Sequence, residues 1–163
     1  MPVLLLLIGC THVMTPDASR PFEPIKEFSS TASVELQNGQ PNKERVQFGQ
    51  NGAHKFVGDY HAWTDAAIQI ATRELNKRGV SIVAGAPKTI MMSIDSSHTD
   101  VGMVEIKSEI TMRVKTSDGY SAVYIGDNGS YMMASIPRQL DGALMRVVRE
   151  MFLDPHIVAF LTH

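Results

Sequence analysis

A chain of 163 residues holds one well-buried core and too little material for two, so a single domain is expected. Its 44% hydrophobic and 20% charged residues exclude a disordered chain. A formal charge of -2 with scattered Lys and Arg excludes the basic surface a nucleic-acid partner requires, and the one cysteine excludes an internal disulfide.

Val3-Leu4-Leu5-Leu6-Leu7-Ile8-Gly9-Cys10 opens the chain as an apolar run too short to span a bilayer, ending on a small residue and the lone cysteine. Leu7-Ile8-Gly9-Cys10 resembles the bacterial lipobox. That resemblance implies that residues 1–9 are a signal segment, that a peptidase cuts between Gly9 and Cys10, and that Cys10 carries a diacylglycerol thioether plus an amine-linked acyl chain such as palmitate. Two or three acyl chains anchor a protein durably, where one binds only marginally. Thr11 in place of an Asp after the cysteine implies the outer membrane, periplasm-facing, by the enterobacterial sorting pattern. The chain departs from the family pattern in having no positive charge before Val3 and a shortened apolar core, as a start placed downstream of the true one would produce. The competing reading makes Val3 to Ile8 a buried strand and Cys10 an inert core residue. Thr11 to Pro24 mixes Thr, Pro, Asp, Ser and Arg without periodicity. This predicts a flexible tether over residues 10–28 and a folded domain over residues 29–163.

Ser33 to Gln37 alternates and meets Asn38-Gly39, predicting a half-exposed strand and a turn. Val46 to Phe48 predicts a short strand, with Asn51-Gly52 as a turn. Trp63, Ala66, Ala67, Ile70, Ala71 and Leu75 fall along one face of an amphipathic helix, which Lys77-Arg78-Gly79 closes. Val80 to Ala84 and Thr89 to Asp95 read as strands. Val104, Ile106, Ile110, Met112 and Val114 alternate with charged and polar residues up to Lys115, the pattern of an antiparallel strand with one wet face. Ser117-Asp118-Gly119 turns into a strand over Tyr120 to Ile125, which Asp127-Asn128-Gly129 should end. A last helix follows Ser135 and Pro137 with Leu140, Ala143, Leu144, Val147, Val148, Met151 and Phe152 on one side, and Asp154-Pro155 stops or restarts it before Ile157 to Leu161. The fold class predicted is α+β: an antiparallel or mixed sheet of four to five strands with two helices packed on one face.

These features together resemble the small envelope lipoproteins of the YajG type: the lipobox at Cys10, the helix from Ala66 to Gly79 running into Val80-Ser81-Ile82, the alternating strand, and the ending from Ala143-Leu144 to Phe160-Leu161. The resemblance implies an envelope compartment and a helix-on-sheet architecture, and little about activity.

Motifs for chemistry are sparse. No two of the six histidines, at 12, 54, 61, 98, 156 and 163, have the spacing that would pair them on a helix face; His54, Asp59 and His61 form only a loose cluster, read as a turn rather than a metal site. Gly126-Asp127-Asn128-Gly129-Ser130 reads as a turn and not a nucleophile elbow. Glu105, Glu109, Asp127 and Asp141 lack context for burial and read as solvated. Met91-Met92 and Met132-Met133 invite a copper site, but Met92, Met145 and Met151 fall on apolar faces where methionine fills a core. No catalytic residue, cofactor or metal is assigned. The expectation is a non-catalytic, membrane-anchored interaction or assembly module that meets another envelope protein, with a small-molecule- or glycan-binding, or hydrolytic, periplasmic module as the alternative.

Overall fold

The computed structural model describes residues 9–131 and 135–163; the apolar run through Ile8 and the pair Met132-Met133 lie outside them. The described elements are β1 (Thr11–Val13), β2 (Ser33–Asn38), β3 (Arg45–Asn51), β4 (His54–Asp59), α1 (Tyr60–Lys77), β5 (Ser81–Ile82), β6 (Lys88–Val101), β7 (Glu105–Thr116), β8 (Ser121–Tyr131), α2 (Ile136–Leu153) and α3 (Pro155–Thr162).

All eight strands join one sheet. The long β6 is its axis. On one side β6 pairs antiparallel with β7 along its length, and β7 with β8. On the other side its first half pairs in parallel with β2, which holds β5, and its second half meets β3, which leads through β4 to β1. The strand β7 alternates strictly, with Ile106, Ser108, Ile110, Met112, Val114 and Thr116 inward and charged residues outward. Helix α1 packs on β6 and β2, helix α2 on β7 and β8, and the two helices touch over the common core. The mixed sheet with its helices on one face agrees with expectation.

The strand count does not: among the described residues there are eight strands where four to five were predicted, and three helices rather than two. Two strands, β1 and β4, went unpredicted, and two others, β6 and β8, run longer than predicted. Strands β1 and β4 are short and mixed in character, so they lack a period. Strand β6 runs six residues past Asp95 because a bulge between Ile94 and Ser96 shifts its phase, and the inward residues beyond it, Ser97 and Thr99, are polar. Thr99 Oγ1 and Ser108 Oγ satisfy one another at 2.9 Å inside the core, so the apolar signal vanishes where burial continues. Strand β8 passes straight through Gly126 to Ser130, the stretch expected to end it. Asp154 breaks the C-terminal helix and caps α3 by accepting the His156 N–H at 2.8 Å, so the chain restarts there.

Helix α1 begins at Tyr60, three residues before its apolar stripe, because the Asp59 carboxylate accepts the Ala62 N–H at 3.0 Å. It ends as the sequence suggests, with Arg78 at the C-cap and Gly79 in the left-handed region at φ 83°.

The stretch from Thr11 to Pro24 is not a free tether. Met14 and Ile25 are buried, and the Trp63 Nε1–H donates to the Met14 carbonyl at 3.2 Å. Arg73 donates to the carbonyls of Ala18 and Arg20, and Asp141 accepts the Asp17 N–H at 3.0 Å. Spaced single anchors of this kind carry no periodicity, so composition alone reads them as linker.

Candidate functional site

Cys10 stands exposed at the entrance to β1, an edge strand. Its carbonyl accepts the Lys55 N–H at 2.9 Å, and Gly9 is pressed against the Ala53 carbonyl. Parallel pairing with β4 therefore holds the backbone at Cys10 while the thiol stays in solvent. Two residues on, His12 Nε2 and His54 Nδ1 are 3.0 Å apart, one ring donating and the other accepting, and His12 stacks on Phe56.

This arrangement dissolves the loose cluster seen in the sequence. His54 meets His12, while His61 bonds the Gln40 carbonyl and lies 3.6 Å from Asp65, and Asp59 is the α1 cap. Among the described residues no group of three or more His, Cys, Asp and Glu is arranged to hold a metal ion. Met92, Met145 and Met151 are core residues.

The outer face of β6, β7 and β8 is open. His98, Glu109 and Asp127 lie in one row across the three strands, and Asp100 and Lys107 in the next, around an open depression of about 590 Å³. Half-exposed Val123 and Ile125 lie beside that row on β8, and among the described residues no strand covers the far edge of β8. The remaining depressions described are likewise open to solvent, unlike an enclosed ligand pocket. No described helix is long and apolar enough to cross a membrane.

A cluster of groups with shifted acidity joins two corners of the fold. Asp154 Oδ2 accepts both the Tyr120 and Tyr124 hydroxyls at 2.6 Å. Burial pushes its pKa up, but those phenols and the His156 and Ile157 N–H groups outweigh it, leaving a net lowering. Burial and the Asp154 charge drive the Tyr124 hydroxyl far above its ordinary value. His156 stacks on Tyr120 and meets Asp118 at 2.9 Å, completing a clasp between the β7–β8 turn and the α2–α3 corner. The sequence showed Asp154 only as a helix breaker; the signal for the clasp was Tyr120 and Tyr124 on one face of a strand. Because the Asp154 pKa is lower folded than unfolded, its charge adds stability above the ordinary Asp range that disappears as pH falls through the folded value. Asp154→Asn is expected to lose about 1 kcal/mol at pH 7, with the gap to the parent narrowing as pH falls below the ordinary Asp range, measured by urea unfolding across that range.

Asp141 corrects the reading of a solvated carboxylate. It is buried on α2, and burial raises its pKa against the opposing pull of the Asp17 N–H and Arg20. Glu105, Glu109 and Asp127 are exposed as expected.

Neither a family model nor a curated protein matches the sequence. Among solved structures, lipoprotein GNA1162 from Neisseria meningitidis matches at 9% identity and a TM-score of 0.38, over 76% of this chain and 99% of that one, a likeness too distant to carry an argument. The resemblance to YajG-type lipoproteins accordingly rests on sequence alone. A crystal structure of a Xanthomonas campestris protein described by the family model DUF330 matches at 10% identity and a TM-score of 0.51, over 92% of this chain and 94% of that one. What the chain has in common with that protein is its fold.

Proposed function

We propose that this chain is a bacterial envelope lipoprotein, acylated on Cys10 after cleavage of the Gly9–Cys10 bond, whose domain acts by binding other envelope proteins at the periplasmic side of the outer membrane. One observation supports the reading: the cysteine that ends the lipobox-like Leu7-Ile8-Gly9-Cys10 is exposed at the entrance to β1, the first described strand. An inert core cysteine would be inside. The open face supports binding as the mode of action. Glu109 stands opposite Asp127 on adjacent strands, and like charges so placed cost stability unless a cation offsets them. A partner offering a basic side chain to that row, or a strand to the β8 edge, would relieve an existing cost.

The test is fractionation of the native protein and Cys10→Ala, with mass measurement of the N-terminal peptide. The parent is expected in the membrane fraction with acyl mass on Cys10, and the variant without acyl mass and outside that fraction. Identical behaviour of the two removes the anchor, and crosslinking in native membranes that recovers no partner removes the binding role.

A further inference from the structure

Strand register places Cys10 and the most exposed large apolar residues among those described at one end of the sheet. Cys10 precedes Thr11, which pairs with Lys55 beside the β3–β4 turn. Strand β3 runs parallel to β6 with Gly49 opposite Thr99, so the β6–β7 turn lies at the same end. That turn carries Met103, 90% exposed, and Val104, 64% exposed. Tyr131, 78% exposed, pairs with Glu105 beside it. Three strand spacings, about 14 Å, separate β1 from β6.

The geometry points to a second membrane contact: Met103, Val104 and Tyr131 form an apolar tip that enters the headgroup region of the bilayer holding Cys10. This rests on the acylation of Cys10 proposed above. Three observations favour lipid as the occupant. The tip is continuous with the anchored end, so acyl chains on Cys10 bring it to the bilayer. The residues from 11 to 25 are docked on the domain, which leaves little slack to hold that end away. The charged side chains around it, Lys55 and Lys107 against Asp100 and Glu105, balance, as suits apolar insertion rather than attraction to anionic lipid. A tyrosine beside two aliphatic side chains also suits an interface that is apolar below and wet above.

Acylation blocks the Cys10 thiol, so the acylated full-length Met103→Cys protein can be labelled at one position with an environment-sensitive fluorophore; Glu44→Cys, at the opposite end of β3, is the control. Both are reconstituted into phosphatidylethanolamine–phosphatidylglycerol vesicles with brominated acyl chains. The label at 103 is expected to be quenched about two-fold or more and to stay quenched in high salt, as apolar burial does, while the label at 44 is unaffected. Vesicle-bound, acylated protein with position 103 unquenched overturns the tip and leaves the anchor standing. Protein lacking acyl mass and unbound to vesicles overturns the anchor first. A label at 103 that is shielded in native membranes but not in pure lipid assigns the tip to a protein partner and overturns the proposal.

Discussion

Gly126→Ala is expected to lower domain stability by about 3 kcal/mol or more, a drop of roughly 6 to 12 °C in Tm for a chain of this size. Gly126 lies on the inner face of β8 under α2, where a Cβ would stand 2.3 Å from both the Ala143 carbonyl oxygen and the Val147 nitrogen. Those are backbone atoms of a helix whose opposite constraints include Leu144, Val148 and Met151 in the core, so a methyl group cannot be absorbed by turning a side chain aside. The helix must lift from β8 or the strand must bend. Asp127→Ala, one residue on and facing solvent, is expected within about 0.5 kcal/mol of the parent. Urea unfolding of the two variants checks this, and an unchanged midpoint for Gly126→Ala would contradict so close an approach of helix to strand.

The second large effect is at Glu74. This carboxylate is 3% exposed, on the buried side of α1, and meets Lys77 at 2.8 Å, Arg78 at 3.1 Å and Arg73 at 3.6 Å. Burial pushes its pKa up, but the Lys77 and Arg78 cations outweigh burial and the net shift is down. Arg78 is buried too, sits over the Phe28 ring, and has no partner for Nε among the described residues. Glu74→Ala would leave that guanidinium with one carbonyl, the residue-74 oxygen at 2.7 Å, and no counter-charge close by. A cost of about 3 kcal/mol is expected, because an unpaired buried charge is worse than none. Arg78→Leu in the same chain should recover about 1 to 2 kcal/mol, read as the coupling in a double-mutant cycle. The pH dependence has a definite sign. With the folded pKa below the unfolded one, the Glu74 contribution is complete at neutral pH and fades as pH falls through the folded value, so parent and Glu74→Ala converge in acid.

Much of the architecture was legible because one face of an element is predominantly apolar along its length. Strand β7 and helices α1 and α2 have that character, and the Asp154-Pro155 break is local chemistry. Elements became illegible where burial and polarity part company. Ser97, Thr99 and Ser108 are inside without being apolar, and Gly126 is inside because a helix backbone needs the room. Long-range pairs left no local trace: His12 finds His54, and Asp141 finds the backbone of Asp17, only after the sheet has assembled. Cys10 and its preceding residues carry the lipoprotein proposal and were legible in the sequence from the start. The row of His98, Glu109 and Asp127 was hidden because the Asp95 bulge moves His98 onto the outer face, out of step with the earlier part of its own strand.

The parallel pairing of β1 with β4 also decides how the domain bears load. Tension applied at Cys10 along the strand runs parallel to β1, so the backbone bonds from Lys55 to the Cys10 carbonyl and from Met14 to the Val57 carbonyl are sheared together rather than opened one at a time. The strain then reaches the Trp63 and Arg73 contacts further along before it reaches the core. A molecule pulled between a bilayer and a partner held on the open sheet face would resist at its strand grip first, yielding residues 10 to 25 as extra length while the helix-covered sheet stayed folded.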